Sequence, residues 1–198
     1  MTSRTFLRFA GWAALSSAVA IVLMVATAIL GATLRLGNTF SVVVVILMAL
    51  LIVVALALYL ILRSVAPAMS LAAMAFGILG MLLTGAAHVL AMASTLSPDQ
   101  FNTTGEGIGP AGTGLWLLLA NYLALQTKAL PRGLTWIGLI AGAGWLMSGV
   151  GALSGGSQNL PFSIGPLGIF LVSPIWAIWL GRRLLAKTHS VPQMARSG

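Results

Sequence analysis

Cysteine is absent from the chain, and with it any disulfide framework, thiolate metal site or thiol nucleophile. Acid is nearly absent too: Asp99 is the single aspartate and Glu106 the single glutamate. Charged residues make up 6% of 198 positions, where a water-soluble domain of this length carries about a quarter. That deficit excludes an ordinary soluble surface and points to a bilayer as the solvent. The shortage of acids leaves a net charge of +8, which in a soluble domain would suggest nucleic acid. Placement argues otherwise, because Arg4, Arg8, Arg63, Lys128, Arg132, Arg182, Arg183 and Lys187 stand at the ends of apolar runs, where the positive-inside rule puts them. Nucleic acid is not an expected partner.

What is present is length without charge. Six apolar segments, about 10–34, 40–62, 68–93, 111–127, 134–153 and 162–183, approach or exceed the roughly 20 residues a spanning helix needs. Ala26-Thr27-Ala28 resembles a signal cleavage site, but the run around it is too long for a signal core. The expected fold is therefore all-α, a single polytopic domain over 1–187 with a disordered tail at 188–198. Counting bases on alternate sides puts both termini in the cytoplasm and the acids outside, with Arg35 alone opposing. The expected location is a bacterial inner (plasma) membrane.

Individual segments carry further expectations. The second span is almost wholly Val, Leu, Ile and Ala and should face lipid on much of its surface. In the third, Gly77, Thr84, His88 and Ala91 share one stripe with Ala73, Gly80 and Ala87 beside it, which predicts the most intimate packing. Ser94–Pro110 is polar, rich in glycine and expected to be the longest loop. The fifth span carries Gly138 and Gly142 as a G-x-x-x-G pair, with Gly144 and Ser148 on another flank, so it belongs at the bundle centre or at the seam of a homodimer. Ser173-Pro174 should kink the sixth, because proline removes one backbone hydrogen bond and crowds the carbonyl four residues back. Gly80-Met81-Leu82-Leu83-Thr84-Gly85 parallels Gly144-Trp145-Leu146-Met147-Ser148-Gly149 at the same distance from Pro67 and Pro131, a hint of duplicated hairpins in which Ala152 replaces His88.

The apolar stretch ending Leu60-Ile61-Leu62-Arg63, the junction from Leu130-Pro131-Arg132 to Ile137-Gly138, and the closing Pro174-Ile175-Trp176-Ala177-Ile178-Trp179-Leu180-Gly181 resemble a bacterial six-helix membrane family, domain of unknown function four-three-eight-six. The resemblance implies a six-helix inner-membrane protein and transfers no catalytic residue.

Ionisable groups within a membrane are costly and usually face a cavity or a partner, which makes His88 the first candidate for function. It should lie roughly 8 Å below the outer end of its helix. Thr113 and Trp116 are expected at similar depth, with Asp99 or Glu106 folding over it. Thr84, His88, Asp99, Glu106, Thr113, Trp116 and the buried Asn121 are thus the candidate ligand-pocket residues. Zinc wants three or four ligands and a membrane haem commonly two histidines; His189 lies on the opposite side from His88, so no metal or cofactor is expected. No nucleophile, base and orienting group stand out together, so no catalytic residue is named and an enzyme is not the favoured reading. Arg182, Arg183 and Lys187 should contact anionic headgroups. Two functions are carried forward: a non-catalytic binding or accessory protein with a pocket for a lipid-like or small apolar molecule, and a small secondary transporter or permease subunit, against which stands the expectation that the spans offer no buried carboxylate.

Overall fold

A computed structural model describes residues 3–34, 38–155 and 160–189. The expected turn at 35–37, part of the loop at 156–159 and the tail at 190–198 lie outside the described residues. Among the described residues the α-helices are, in order, α1 (Ser3–Leu34), α2 (Thr39–Leu62), α3 (Pro67–Met92), α4 (Pro98–Phe101), α5 (Gly109–Gln126), α6 (Arg132–Leu153), α7 (Leu160–Leu167) and α8 (Ser173–His189). Two π-helical segments join them without a break, π1 (Asn102–Ile108) between α4 and α5, and π2 (Gly168–Val172) between α7 and α8. The result is six helices long and apolar enough to cross a membrane, the fourth over Pro98–Gln126 and the sixth over Leu160–Ala186. Each packs on the next and α8 returns to α1, so the six close into a ring. All the described bases gather at one end, hereafter the basic end, and Asp99 and Glu106 at the other, the acidic end.

The largest departure from expectation is Ser94–Pro110, which is helical from Pro98 onward. Ser97 caps it: its hydroxyl accepts from the Gln100 N–H at 3.2 Å, and the Gln100 side chain accepts from the Ser97 N–H at 3.0 Å. This reciprocal box at Ser97-Pro98-Asp99-Gln100, with proline at the first helical position, is a start signal legible in the sequence. The glycines that suggested a loop instead allow close packing. A Cβ on Gly107 would meet Leu153 Cγ at 2.8 Å, and one on Gly105 would meet Ala87 Cβ at 3.0 Å. Tertiary packing against α3 and α6 overrides the poor helix propensity of glycine.

Both π-helical segments end two residues before a proline. Gly109, preceding Pro110, donates its N–H to the Thr104 carbonyl, and Ser173, preceding Pro174, donates to Gly168. The wider turn makes room for the proline ring, which is how these helices absorb it.

Packing is mixed on the second and third spans. α2 exposes Val42 and Ile46 on its outer side yet buries nine residues, including Leu47, Val54, Ala55 and Ala57, because it is wedged between α1 and α3 and touches α5. α3 seats its small-residue face closely, as expected, and is also the least enclosed span, 33% buried, for its other face exposes Phe76, Leu79 and Leu82. Gly138 and Gly142 are not a seam for a second copy. A Cβ on Gly142 would meet Leu118 N at 2.8 Å, and Gly138 lies against Asn121, so α5 of the same chain occupies that face.

The duplicated phrase packs in duplicate. A Cβ on Gly80 would meet Gly109 O and Gly112 C at 2.6 and 2.9 Å; one on Gly144 would meet Gly165 O and Gly168 C at 2.9 and 3.0 Å. In return, Gly112 faces Gly80 Cα and Phe76 O, and Gly168 faces Gly144 Cα and Ile140 O. Gly109-Pro110-Ala111-Gly112 and Gly165-Pro166-Leu167-Gly168 are thus equivalent strips, each seated on an equivalent helix. Close backbone approach of this kind replaces the hydrophobic effect, which lipid does not supply between helices.

Candidate functional site

The two equivalent hairpins converge on a cavity of about 150 Å³ inside the ring, toward the acidic end. All six spans contribute. Thr84 and Ser148, Pro110 and Pro166, and Glu106 and Phe162 line it as three pairs from equivalent positions of the two hairpins, and Met24, Val44, Met48 and Ile169 supply an apolar wall. The third pair breaks the equivalence chemically, with a carboxylate on one side and a phenyl ring on the other. His88 also lines the cavity, while its counterpart Ala152 lies outside, in an open depression at the acidic end that Asp99, Glu106 and Phe162 share. Glu106 and Phe162 therefore stand between the depression and the cavity.

His88 is 2% exposed and held from four directions. Its Nδ1 shares a hydrogen bond with the Ser41 hydroxyl at 3.1 Å. Phe101 meets the ring edge-on at 5.0 Å between centroids, and Phe40 lies tilted at 5.7 Å on another side. Nε2 approaches Glu106 Oε1 at 3.7 Å, an ion-pair distance beyond direct hydrogen bonding. The pairing of Glu106 with His88 agrees with expectation, but it arises differently. The carboxylate does not fold down from a loop; it projects from a π-helical segment within the fourth span. Since that span starts at Pro98 rather than at the expected 111, Gly105 and Glu106 stand at the depth of His88 and the residues that were to stand there lie farther in.

Thr84 sits one turn from His88 on the cavity wall, and its buried hydroxyl has no hydrogen-bond partner among the described residues. Unpaired buried hydroxyls are uncommon and costly, and here the group lies beside Gly109 and the cavity.

The remaining candidates lie elsewhere. Thr113 donates to the Gly109 carbonyl at 3.1 Å within α5. Trp116 packs over Gly77 and edge-on to Trp176, centroids 6.2 Å apart. Asn121 accepts from the Trp176 indole N–H at 3.2 Å and donates to the Leu117 carbonyl at 2.8 Å, which satisfies both ends of its amide. None of these three lines the cavity. Asp99 is exposed and belongs to the depression only. Gly144 and Ser148 pack α6 against α7 and π2, and Ser148 in addition reaches the cavity. Sequence reasoning missed Ser41, Phe40, Phe162 and Phe170; the repeated Gly-Pro-x-Gly strips were the signal for the sixth span. Among the described residues no three His, Asp or Glu side chains come together as a metal site would require.

These features define a multi-pass membrane protein built as a closed ring of six helices, with two equivalent hairpins around a partly open cavity. The chain belongs to the family described as Domain of unknown function (DUF4386), whose model matches residues 24–187. No curated protein and no solved structure matches it.

Proposed function

We propose that the protein is a non-catalytic binding or accessory protein of a bacterial inner membrane, whose cavity holds a lipid-like or small apolar molecule. The observation that carries this is the cavity itself: six spans leave a space of about 150 Å³ walled by Met, Val, Ile and Phe side chains, beside one orphan hydroxyl and one carboxylate. A space of that order admits a benzene-sized guest. Toluene is a suitable probe. It should raise the unfolding midpoint of the protein in lipid nanodiscs saturably, and Val44→Phe, which fills the apolar wall, should abolish that shift. An equal shift in the variant would place toluene elsewhere and overturn the reading.

The clustering of bases supports termini in the cytoplasm and the acidic end outside. Because the chain lacks cysteine, Thr103→Cys creates a single thiol on the exposed surface of the acidic end. An impermeant maleimide should label it in intact cells; labelling only in inverted vesicles would reverse the orientation. At the basic end, Arg182 and Arg183 flank a groove with Ile175 and Trp179, which suits anionic headgroups over acyl chains. Lys187, expected to join them, continues the same helix, α8.

A transporter is the second reading, favoured by one observation. The spans do contain a carboxylate beside a cavity, Glu106, which removes the objection raised from sequence. Transport requires the cavity to open alternately to both sides. A cysteine at Ser148 should react with impermeant reagents from the acidic end only if the protein binds, and from both ends if it transports.

A further inference from the structure

We infer that the molecule held in the cavity is a small organic cation, an ammonium group on a compact apolar body, which enters from the acidic depression. This deepens the binding reading above and rests on it.

The charges point one way. Both acids of the chain line the depression, among the described residues no lysine or arginine lines either it or the cavity, and Glu106 belongs to both. A carboxylate in such a place requires a partner, because an unpaired charge at membrane depth is costly. The described residues supply an incomplete one. His88 Nε2 stays 3.7 Å away, its other nitrogen is bonded to Ser41, and Phe40 and Phe101 pack around its ring. Glu106 is therefore left with acceptor capacity facing a space into which a donor fits. An anionic guest would be repelled there, and a purely apolar one would leave the carboxylate unpaired.

The walls suit a cation as well. Phe40, Phe162, Phe170 and Trp145 line the cavity, and aromatic rings attract cations through their quadrupole. The Trp145 N–H already donates to the Ser173 hydroxyl at 3.2 Å, so that indole offers its ring carbons and not a competing donor. The orphan Thr84 hydroxyl completes the set, for an ammonium group has several N–H donors and a hydroxyl accepts one. The volume limits the body to about the size of a benzene ring.

The test uses the full chain in nanodiscs of zwitterionic lipid, which gives a cation no anionic headgroup to bind. Benzylammonium, benzyl alcohol, benzoate and toluene are compared as probes by the shift each gives in the unfolding midpoint. Benzylammonium should bind about tenfold or more tightly than benzyl alcohol, the difference a charge-assisted hydrogen bond makes, and benzoate should not bind. Glu106→Gln should abolish the preference for benzylammonium while the toluene shift remains. Equal affinity for the ammonium and the alcohol on the unmodified protein, or an unchanged preference in Glu106→Gln, would overturn the cation inference and leave an apolar binding site. No shift from any probe would overturn the binding reading together with it.

Discussion

Replacing Gly80 and Gly85 by alanine, one at a time, makes the same chemical change twice on one helix, and the two should act with opposite sign. At Gly85 the new Cβ meets only Met48 Cβ at 3.8 Å, an ordinary contact. Alanine is the better helix former by about 0.8–1.0 kcal/mol, so Gly85→Ala should stabilise by that order. At Gly80 the new Cβ would lie 2.6 Å from both Gly109 O and Thr113 N. These are backbone atoms of a neighbouring helix and cannot rotate aside. α5 must retreat by about 0.8 Å to restore ordinary contact, and overpacking of that kind costs about 1–3 kcal/mol. Set against the propensity gain, Gly80→Ala should destabilise by up to about 2 kcal/mol, and the difference between the variants is the overpacking cost itself, about 1–3 kcal/mol. Reversible unfolding in mixed micelles with rising sodium dodecyl sulfate, followed by circular dichroism, measures it. If both variants shift the same way, the close seating of α3 on the Gly109–Gly112 strip is wrong, and so is the equivalence of the hairpins.

Three further substitutions test the network around that seam. Asn121→Ala removes the acceptor of the buried Trp176 N–H, and should cost about 1–3 kcal/mol in the same unfolding assay; an unchanged midpoint would show that the pair contributes nothing. Ser173→Ala withdraws the hydroxyl that links Trp145 to the π-helical turn, and should destabilise by about 1 kcal/mol with a change in Trp fluorescence. Ser94 ends α3 with φ of 55°, a left-handed conformation that costs an L-residue about 1–2 kcal/mol, so Ser94→Gly should stabilise; a loss of stability would mean that its backbone is not left-handed.

The six spans were legible because length and apolarity are what a bilayer demands of a helix, and no tertiary detail enters that demand. The stripe of Gly77, Gly80, Thr84 and His88 was legible for a similar reason, since helical periodicity alone places those residues on one face. Asn121 was recognised as needing a partner, but Trp176 is distant in sequence and nothing local pointed to it. The helix at Pro98–Ile108 was missed because glycine, threonine and asparagine read as loop until α3 and α6 are known to pack against it. That one error displaced the rest of the fourth span, which is why Thr113 and Trp116 were expected beside His88 where Gly105 and Glu106 are found. Which face of α2 is buried was equally hidden, because a helix apolar on all sides looks the same whether lipid or protein surrounds it.

The central claim is that Glu106 holds a cation inside the ring, and the sequence permits a direct measurement. Glu106 is the only glutamate, so protein made by cell-free synthesis with glutamate labelled with carbon-13 at its side-chain carboxyl, and glutamine unlabelled, carries one such signal. Solid-state dipolar recoupling between that carbon and nitrogen-15 benzylammonium, in zwitterionic lipid, reports their distance. The account predicts dephasing that corresponds to within about 4 Å, the separation set by a charge-assisted N–H···O hydrogen bond, and its loss in Val44→Phe. A bound benzylammonium that leaves the Glu106 carboxyl signal undephased would contradict it.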